Sequence, residues 1–479
     1  MRNSLSIKMR QIVLFCTSVF LFLASPQIAF SKFPGPLGEK IPVHSILLEG
    51  NSITKSNIIL RELLFQEGDS IIVADLAESI EKSRQNLLNT SLFNFVTISW
   101  EQKPEGLNVK IEMVERWYIW PTPILEITDR NLNAWWDSHD FRRINYGVRV
   151  KWSNFRGRME NLDLFLRSGK NHQYSLLYDI PYIEKTKRFG AGIEIGHLRK
   201  REVGYITNED KLVFHFDRNF LLLQQYLALK FNYRRNIHTF HLAEIRFQHV
   251  EFADSLLSRN KDFYYPGVRI RNYLSGYYKL KIDHRDAKFY PLDGWYVDFE
   301  IYKAGLGLKF ENPVNVLWAR STSRIFVPLS NRWFFGSSIV GKISSDAYQP
   351  YFFMQGLGYD RDFVRGYEYD VADGAHYLLT RNNIKFNLIH EKKSNIGFIP
   401  SPKFSRIHYA SYLNFFLDAG YTWRGNTVIS DSSILPETLL IGAGIGLDVV
   451  TYYDKVMRIE YSTNKSGKSG IFIHFIAGI

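Results

Sequence analysis

The sequence predicts a mainly β protein: a transmembrane antiparallel barrel of about sixteen strands, preceded by one small α+β domain. Three observations predict it. Phe, Tyr and Trp make up 15% of the 479 residues. The mean hydropathy is only −0.20, and no apolar run after the N-terminal segment approaches the length of a spanning helix. From residue 117 onward, apolar and polar residues alternate through one segment after another. A barrel wall has this texture, because aromatic girdles mark the two membrane interfaces while every second residue faces a polar lumen. An open soluble sandwich of this size would leave unpaired edges needing cover.

At the N-terminus, Arg2, Lys8 and Arg10 precede an apolar stretch at 12–24 that is too short to span a membrane comfortably. Ala29-Phe30-Ser31 then offers small residues at a cleavage spacing, so 1–31 reads as a signal peptide and Lys32 as the mature N-terminus. Cys16, the only cysteine, lies inside that apolar stretch, and the mature chain is therefore expected to carry no disulfide or thiolate metal site. The net charge of +12 includes the three cations of the signal. With no basic patch interleaved with stacking aromatics, it points to anionic lipid headgroups rather than nucleic acid.

Residues 32–41, with Pro34, Gly35, Pro36 and Gly38, read as a linker. Residues 42–116 read as the α+β domain. A strand at 45–49 stops at Gly50-Asn51. A helix at 55–65 carries Ile58, Ile59, Leu63 and Leu64 on one face, and a second at 73–88 buries Leu76, Ile80, Leu87 and Leu88. Strands at 95–102 and 107–115 follow, joined by a turn at 103–106.

The barrel occupies 117–479. Its candidate strands are 117–127, 144–152, 162–166, 174–180, 189–197, 212–216, 226–233, 240–252, 269–282, 295–302, 314–327, 333–343, 377–388, 409–417, 440–449, 456–461 and 471–476. A bacterial single-chain barrel closes with an even number of strands, so one candidate is surplus, and 240–252 is read as a loop extension of its neighbour. Around 346–375 runs a long loop containing Val364-Arg365-Gly366-Tyr367. Asp418, in Phe415-Phe416-Leu417-Asp418-Ala419-Gly420, is flanked by aromatics expected to face lipid. It must then point into the lumen, where a carboxylate needs a cation. Asp283, Arg285 and Asp286, followed by Pro291 and Gly294, read as a tight turn between two strands.

These motifs carry a resemblance. Leu48-Glu49-Gly50-Asn51, Arg61-Glu62-Leu63, Gly68-Asp69 and Leu92-Phe93 resemble a POTRA domain, the periplasmic module of outer-membrane assembly factors. The Asp-x-Arg-Asp turn, the Val-Arg-Gly-Tyr loop and the Phe-x-Asp-x-Gly strand resemble those of the BamA/TamA superfamily. Gly442-Ala443-Gly444-Ile445-Gly446-Leu447 and Arg458-Ile459-Glu460-Tyr461-Ser462 look like its next two strands. The resemblance covers nearly all of the mature chain. It implies that Arg365 acts as a latch paired with Asp418, in a bidentate contact that lysine could not reproduce.

The resemblance also implies a function: insertion and folding of barrel proteins in the outer membrane, with the POTRA domain in the periplasm. The partners it implies are unfolded outer-membrane proteins received by β-augmentation, accessory lipoproteins and outer-membrane lipids. The seam between first and last strands would open to template a client, with Gly467, Gly470 and Gly478 loosening the final segment. Three departures stand out. The family's assembly factors usually carry several POTRA domains and one is found here. The sequence ends Phe475-Ile476-Ala477-Gly478-Ile479, without the terminal aromatic common in outer-membrane barrel signals. Lys385 falls near where relatives have a second acid, leaving Arg365 fewer anionic partners. A polypeptide secretion pore of the two-partner type is the alternative, and a passive porin would leave the α+β domain unexplained.

Enzyme signals are poor, and no catalytic residue, cofactor or metal is expected. Gly336-Ser337-Ser338-Ile339-Val340-Gly341-Lys342 nearly spells a phosphate-binding loop, but Ile343 replaces the required hydroxyl residue and no helix follows. No Glu-flanked His pair at helical spacing and no Gly-x-Ser-x-Gly elbow is present.

Overall fold

The computed structural model describes residues 39–127, 144–184, 186–266, 268–307, 314–345, 348–395, 397, 399, 401–426, 430, 432–451 and 455–476. The signal peptide expected at 1–31, and residues 32–38 of the linker, lie outside the described residues.

The N-terminal domain runs β1 (Lys40–Glu49), α1 (Ser56–Leu60), β2 (Ser70–Ile72), α2 (Val73–Asn89), β3 (Phe93–Lys103) and β4 (Gly106–Glu115). Its sheet has the order β2-β1-β4-β3, with β1 parallel to β4. Leu76, Ile80 and Leu87 of α2 share one buried cluster with Val43, Val109 and Ile111 of the sheet. The start of β1 takes in the last two residues of the expected linker, because residues 40–42 pair with the short β2. Three residues are too few to show a periodicity, which is why β2 left no signal. The helix expected at 55–65 ends at Leu60. Beyond it α2 captures the chain: Leu64 N donates to Ser83 Oγ at 3.1 Å and Asn86 Nδ2 donates to Glu62 O at 3.1 Å.

Sixteen antiparallel strands then form one barrel-like sheet. They are β5 (Ile119–Ile127), β6 (Ile144–Phe155), β7 (Glu160–Gly169), β8 (His172–Ile180) and β9 (Phe189–Lys200), then β12 (Leu222–Arg234), β13 (Thr239–Phe252), β14 (Ile270–Asp283) and β15 (Gly294–Ala304). The rest are β16 (Val316–Pro328), β17 (Trp333–Ser344), β18 (His376–Asn395), β19 (Arg406–Trp423), β20 (Leu440–Thr451), β21 (Lys455–Asn464) and β22 (Ser469–Ile476). Between β9 and β12 the chain leaves the wall as a separate hairpin of β10 (Glu202–Asn208) and β11 (Lys211–Phe216), while β9 pairs directly with β12.

The surplus candidate is therefore 212–216 and not 240–252, since β13 pairs with both β12 and β14 along its length. The hairpin turns on Glu209 and Asp210, both at positive φ (49° and 62°), as two-residue mirror-type turns require. Phe214 and Phe216 are exposed on alternate positions of β11, which imitates a wall strand and explains the miscount.

Alternation along the wall has the consequence a membrane demands. Ile195, Leu227 and Phe247 are neighbours in register on β9, β12 and β13, and all three are exposed on the outer face. Between them, Glu194, Lys230, Glu244 and Arg246 turn into the lumen, where Lys230 meets Glu194 at 2.7 Å and Arg246 meets Glu244 at 2.7 Å. Exposed Ile325, Ile339, Phe415, Leu417, Ile445 and Ile473 carry the apolar belt across the later strands. An apolar belt running across successive strands on the outer face is what a membrane-facing barrel wall presents.

The N-terminal domain sits against one end of the barrel. Glu62 receives Arg234 in a fork, with Nη1 to Oε1 and Nη2 to Oε2 both at 2.6 Å. Arg61 stacks over Tyr182 at 4.6 Å, and Lys55 N donates to Gly157 O at 2.9 Å. Asn89 Nδ2 donates to Asp286 O at 3.1 Å, and Lys288 Nζ donates to Asn89 O at 2.7 Å. Lys403, in the short α3 (Pro402–Ser405) between β18 and β19, accepts Asn94 Nδ2 on its carbonyl at 3.0 Å. These contacts lie at one end of the barrel, which fixes the direction of each strand relative to the domain.

Candidate functional site: a loop latched in the lumen

The loop between β17 and β18 enters the barrel from the end opposite the N-terminal domain. A 3-10 turn at Tyr351–Phe353 and a bridge between Leu357 and Ala372 shape it. Val364, Arg365 and Tyr367 are all buried. Arg365 makes a fork to Asp418 on β19, Nε to Oδ2 at 2.7 Å and Nη2 to Oδ1 at 2.6 Å. Its Nη1 donates to Asn383 Oδ1 on β18 at 3.0 Å and to Glu460 Oε1 on β21 at 3.2 Å. The guanidinium also lies 3.8 Å above the Phe416 ring. One cation thus spans strands from β18 to β21, with its charge met by two carboxylates that are almost fully buried.

Glycines make the approach possible. A Cβ on Gly442 of β20 would stand 1.7 Å from Arg365 O, and one on Gly420 would stand 2.6 Å from Val364 Cγ2. Gly366 itself takes φ +93°, and its carbonyl accepts Asn464 Nδ2 at 2.7 Å. The glycine-rich run of β20 is therefore a floor for the loop rather than a nucleotide cradle.

Three expectations need correction. Phe416, expected to face lipid, turns inward and lies under Arg365, while Phe415 faces out. It shares the parity of Asp418, and period two puts both on the lumen face. Arg365 does not want for acids either, because Glu460 supplies the second one from β21. Lys385 instead belongs to a neighbouring cluster, with its Nζ 4.1 Å from the Tyr290 ring. Finally, the segment between Asp283 and Gly294 is not a tight turn. Residues 284–293 form a long excursion that carries Tyr290 into the lumen, where its hydroxyl donates to Asp448 Oδ2 at 2.7 Å.

Around that excursion the motif residues have local tasks. Arg285 forks onto Asp283 with both contacts at 2.8 Å. Asp286 accepts Leu292 N at 3.1 Å, with Pro291 between them in the chain. Gly294 takes φ +95°, and a Cβ there would stand 2.1 Å from His284 O. Asp448 is gripped in turn by Arg458, Nε to Oδ1 at 2.6 Å and Nη2 to Oδ2 at 3.0 Å. Two cation–carboxylate knots, Arg365 with Asp418 and Arg458 with Asp448, thus lie side by side, bridged by Glu460 at 3.6 Å from Arg458. The second knot had a legible signal in the alternation of Asp448, Arg458 and Glu460 among apolar wall residues.

On the far side, the β10–β11 hairpin straps the loop. Val371 N donates to Asp210 O at 2.7 Å, and Thr207 Oγ1 donates to Asp373 Oδ1 at 3.0 Å. The Tyr359 hydroxyl also donates to Asp373. Arg320 and the Tyr377 hydroxyl hold Asp362, at 2.9 and 2.6 Å.

The architecture is one small α+β domain on a sixteen-stranded barrel-like sheet, with a loop latched inside it. Residues 41–116 match the POTRA family, described as surface antigen variable number repeat. No curated protein matches the chain. Among solved structures, BamA from Haemophilus ducreyi lacking POTRA domains 1–3 aligns at 12% identity and a TM-score of 0.49, over 92% of this chain and 85% of that one. CdiB from Acinetobacter baumannii aligns at 13% identity and 0.49, over 91% and 73%. CdiB from Escherichia coli aligns at 11% identity and 0.48, over 99% and 98%.

Proposed function

We propose that this chain is an outer-membrane protein that assists the insertion and folding of barrel proteins, with its POTRA domain in the periplasm. The observation that carries the reading is the sheet order, in which β5 and β22 stand at the two ends. Among the described residues no ladder joins them, so a barrel whose later strands are knotted together by Arg365 keeps one unzipped seam. A rigid wall with a latent opening suits strand-by-strand transfer of a client into lipid. The Val364–Tyr367 loop, with Asp418 and Gly420 beneath it, is a structural latch in this reading, and the Asp283–Gly294 segment couples the POTRA domain to the lumen. Unfolded outer-membrane proteins are the clients, met first by the POTRA domain; accessory lipoproteins and outer-membrane lipids complete its surroundings.

The test is reconstitution of the full chain in lipid vesicles with an unfolded outer-membrane barrel protein as client. Faster client folding than in empty vesicles is the expected result. Single-channel recording on the same vesicles separates the alternative. Small, flickering conductance accords with assembly, whereas a large constitutive pore without client folding would favour a secretion pore.

A further inference from the structure

The outer face of β8 to β13 changes character at one height, toward the end away from the POTRA domain. Strand register sets Leu176, Ile195, Leu227 and Phe247 side by side as a continuous apolar row. Two residues nearer that end of each strand, the same face presents Tyr174, His197, Gln225 and His249. Period two keeps both rows on the membrane side. The polar row is satisfied laterally: the Tyr174 and His197 rings stack at 6.0 Å, Gln225 Nε2 donates to His197 Nδ1 at 3.1 Å, and His249 Nδ1 lies 2.7 Å from Asn272 Oδ1. From Phe189 to His197, β9 climbs about 20 Å at ordinary rise and tilt, nearly the full height of an apolar band. The polar row therefore stands where the hydrocarbon ends. Below it, from β7 to β13, lies a groove of about 410 Å³ lined by Leu164, Leu166, Leu176, Ile195, Leu227 and Phe247. At the usual strand spacing the groove is about 19 Å across, wider than the two chains of a phospholipid and suited to a lipid with more.

Above the groove the wall turns basic. Arg199, in register with His172 and Leu223, is exposed on the same outer face, and Arg201 follows just beyond β9. Both guanidinium groups lie against one ring, Phe220, at 4.8 and 4.1 Å, and His172 meets the same ring at 4.9 Å. Arg201 is oriented by Gly169 O and Arg218 O, at 2.8 and 3.0 Å. Among the described residues neither arginine meets a carboxylate. Other cations at this rim do, Lys170 with Glu202 at 2.8 Å and Arg269 with Glu251 at 3.4 Å. Two like charges sharing one ring repel unless an anion joins them. Guanidinium groups suit phosphate, because the planar fork meets its oxygens two at a time. Arg199 stands about 5 Å beyond His197 toward the surface, the level at which a lipid's phosphate follows its acyl linkages.

We infer that this patch binds a phosphorylated, multi-acyl lipid of the surface leaflet, with its phosphate at Arg199 and Arg201 and its chains in the groove beneath. The polar row of Tyr174, His197, Gln225 and His249 faces the ester, amide and hydroxyl groups that join the two parts of such a lipid. The inference goes beyond the assembly reading and rests only on the placement of the POTRA domain in the periplasm, which puts this end of the barrel in the outer leaflet. Bound lipid neutralises the two arginines and fixes the height of this part of the wall.

Native mass spectrometry of the delipidated full chain in detergent tests this, with bisphosphorylated hexa-acyl lipid A, its dephosphorylated form and phosphatidylglycerol titrated in turn. Saturable binding of the phosphorylated lipid A is expected, about ten-fold tighter or more than either of the others. Arg199→Gln combined with Arg201→Gln should weaken it by about ten-fold or more, the loss of one or two charge-assisted contacts. Arg199→Gln alone, at an exposed side chain, should weaken it in the same direction and serves if the double variant does not fold. Ile195→Trp fills the groove and should also weaken binding. Arg269→Gln removes the same charge from an arginine already paired at this rim, and should leave binding unchanged. Equal binding of phosphatidylglycerol, no loss with Arg199→Gln, an equal loss with Arg269→Gln, or displacement of the lipid by millimolar inorganic phosphate overturns the inference. Lipid binding by a chain that folds no client leaves the site standing and removes the assembly reading. Client folding by a chain without such binding does the reverse.

Discussion

Arg365 is held by three acceptors at once, and the geometry asks for a planar fork. A lysine can meet one of Asp418, Asn383 and Glu460, not all three. Arg365→Lys should therefore leave buried carboxylate without its partner, at a cost of about 3–5 kcal/mol. The measurement is the urea midpoint for loss of the compact, heat-modifiable form on gels, and an unchanged midpoint would count against the latch. Gly442→Ala tests the floor beneath it. A Cβ 1.7 Å from Arg365 O must displace the loop, so trypsin cleavage at Arg361 and Arg365 should appear in the folded protein. The family resemblance implies the pairing of Arg365 with Asp418; their spacing along the chain does not. Glu460 was missed as the second acid because its distance along the chain carries no information about which strand faces the loop.

At the scale of elements, the β10–β11 hairpin shows where periodicity stops being informative. Its residues alternate as a wall strand does, yet β9 pairs past it with β12. What separates them is pairing partners, and those are not local. Asp210 at the hairpin tip accepts Ile434 N and Leu435 N at 2.9 and 3.0 Å. Asp210→Ala should leave these backbone donors unmet, costing about 1–3 kcal/mol, and loosen the strap over the latch loop. Faster amide exchange at Val371 and Leu357, with the barrel strands unchanged, is the expected readout; global loosening would argue that the hairpin is part of the wall.

Over the whole molecule, the Glu62–Arg234 fork links the POTRA domain to the barrel mouth. Burial pushes the Glu62 carboxyl up, but the Arg234 and Arg61 guanidinium groups more than offset it and hold it below the ordinary value of 4.5. A carboxyl depressed in the folded state adds stability that is fully present above its unfolded value and is lost as pH falls through the folded one. Docking should then hold at neutral pH and weaken only below about 4.5. Amide exchange of Lys55, whose N–H rests on Gly157, is the probe. Docking that weakens between neutrality and pH 5 would mean another group controls it.

The mainly β class, the α+β domain and all but two of the candidate strand assignments were legible in the chain, because alternation and helical period are properties of neighbouring residues. Composition pointed to a membrane wall for the same reason: each residue reports which of two solvents it meets. The lumen was not legible in that way. Which acid completes the site of Arg365, where Lys385 and Tyr290 meet, and that Phe416 lies beneath a guanidinium all depend on strands far apart in sequence coming to one interior.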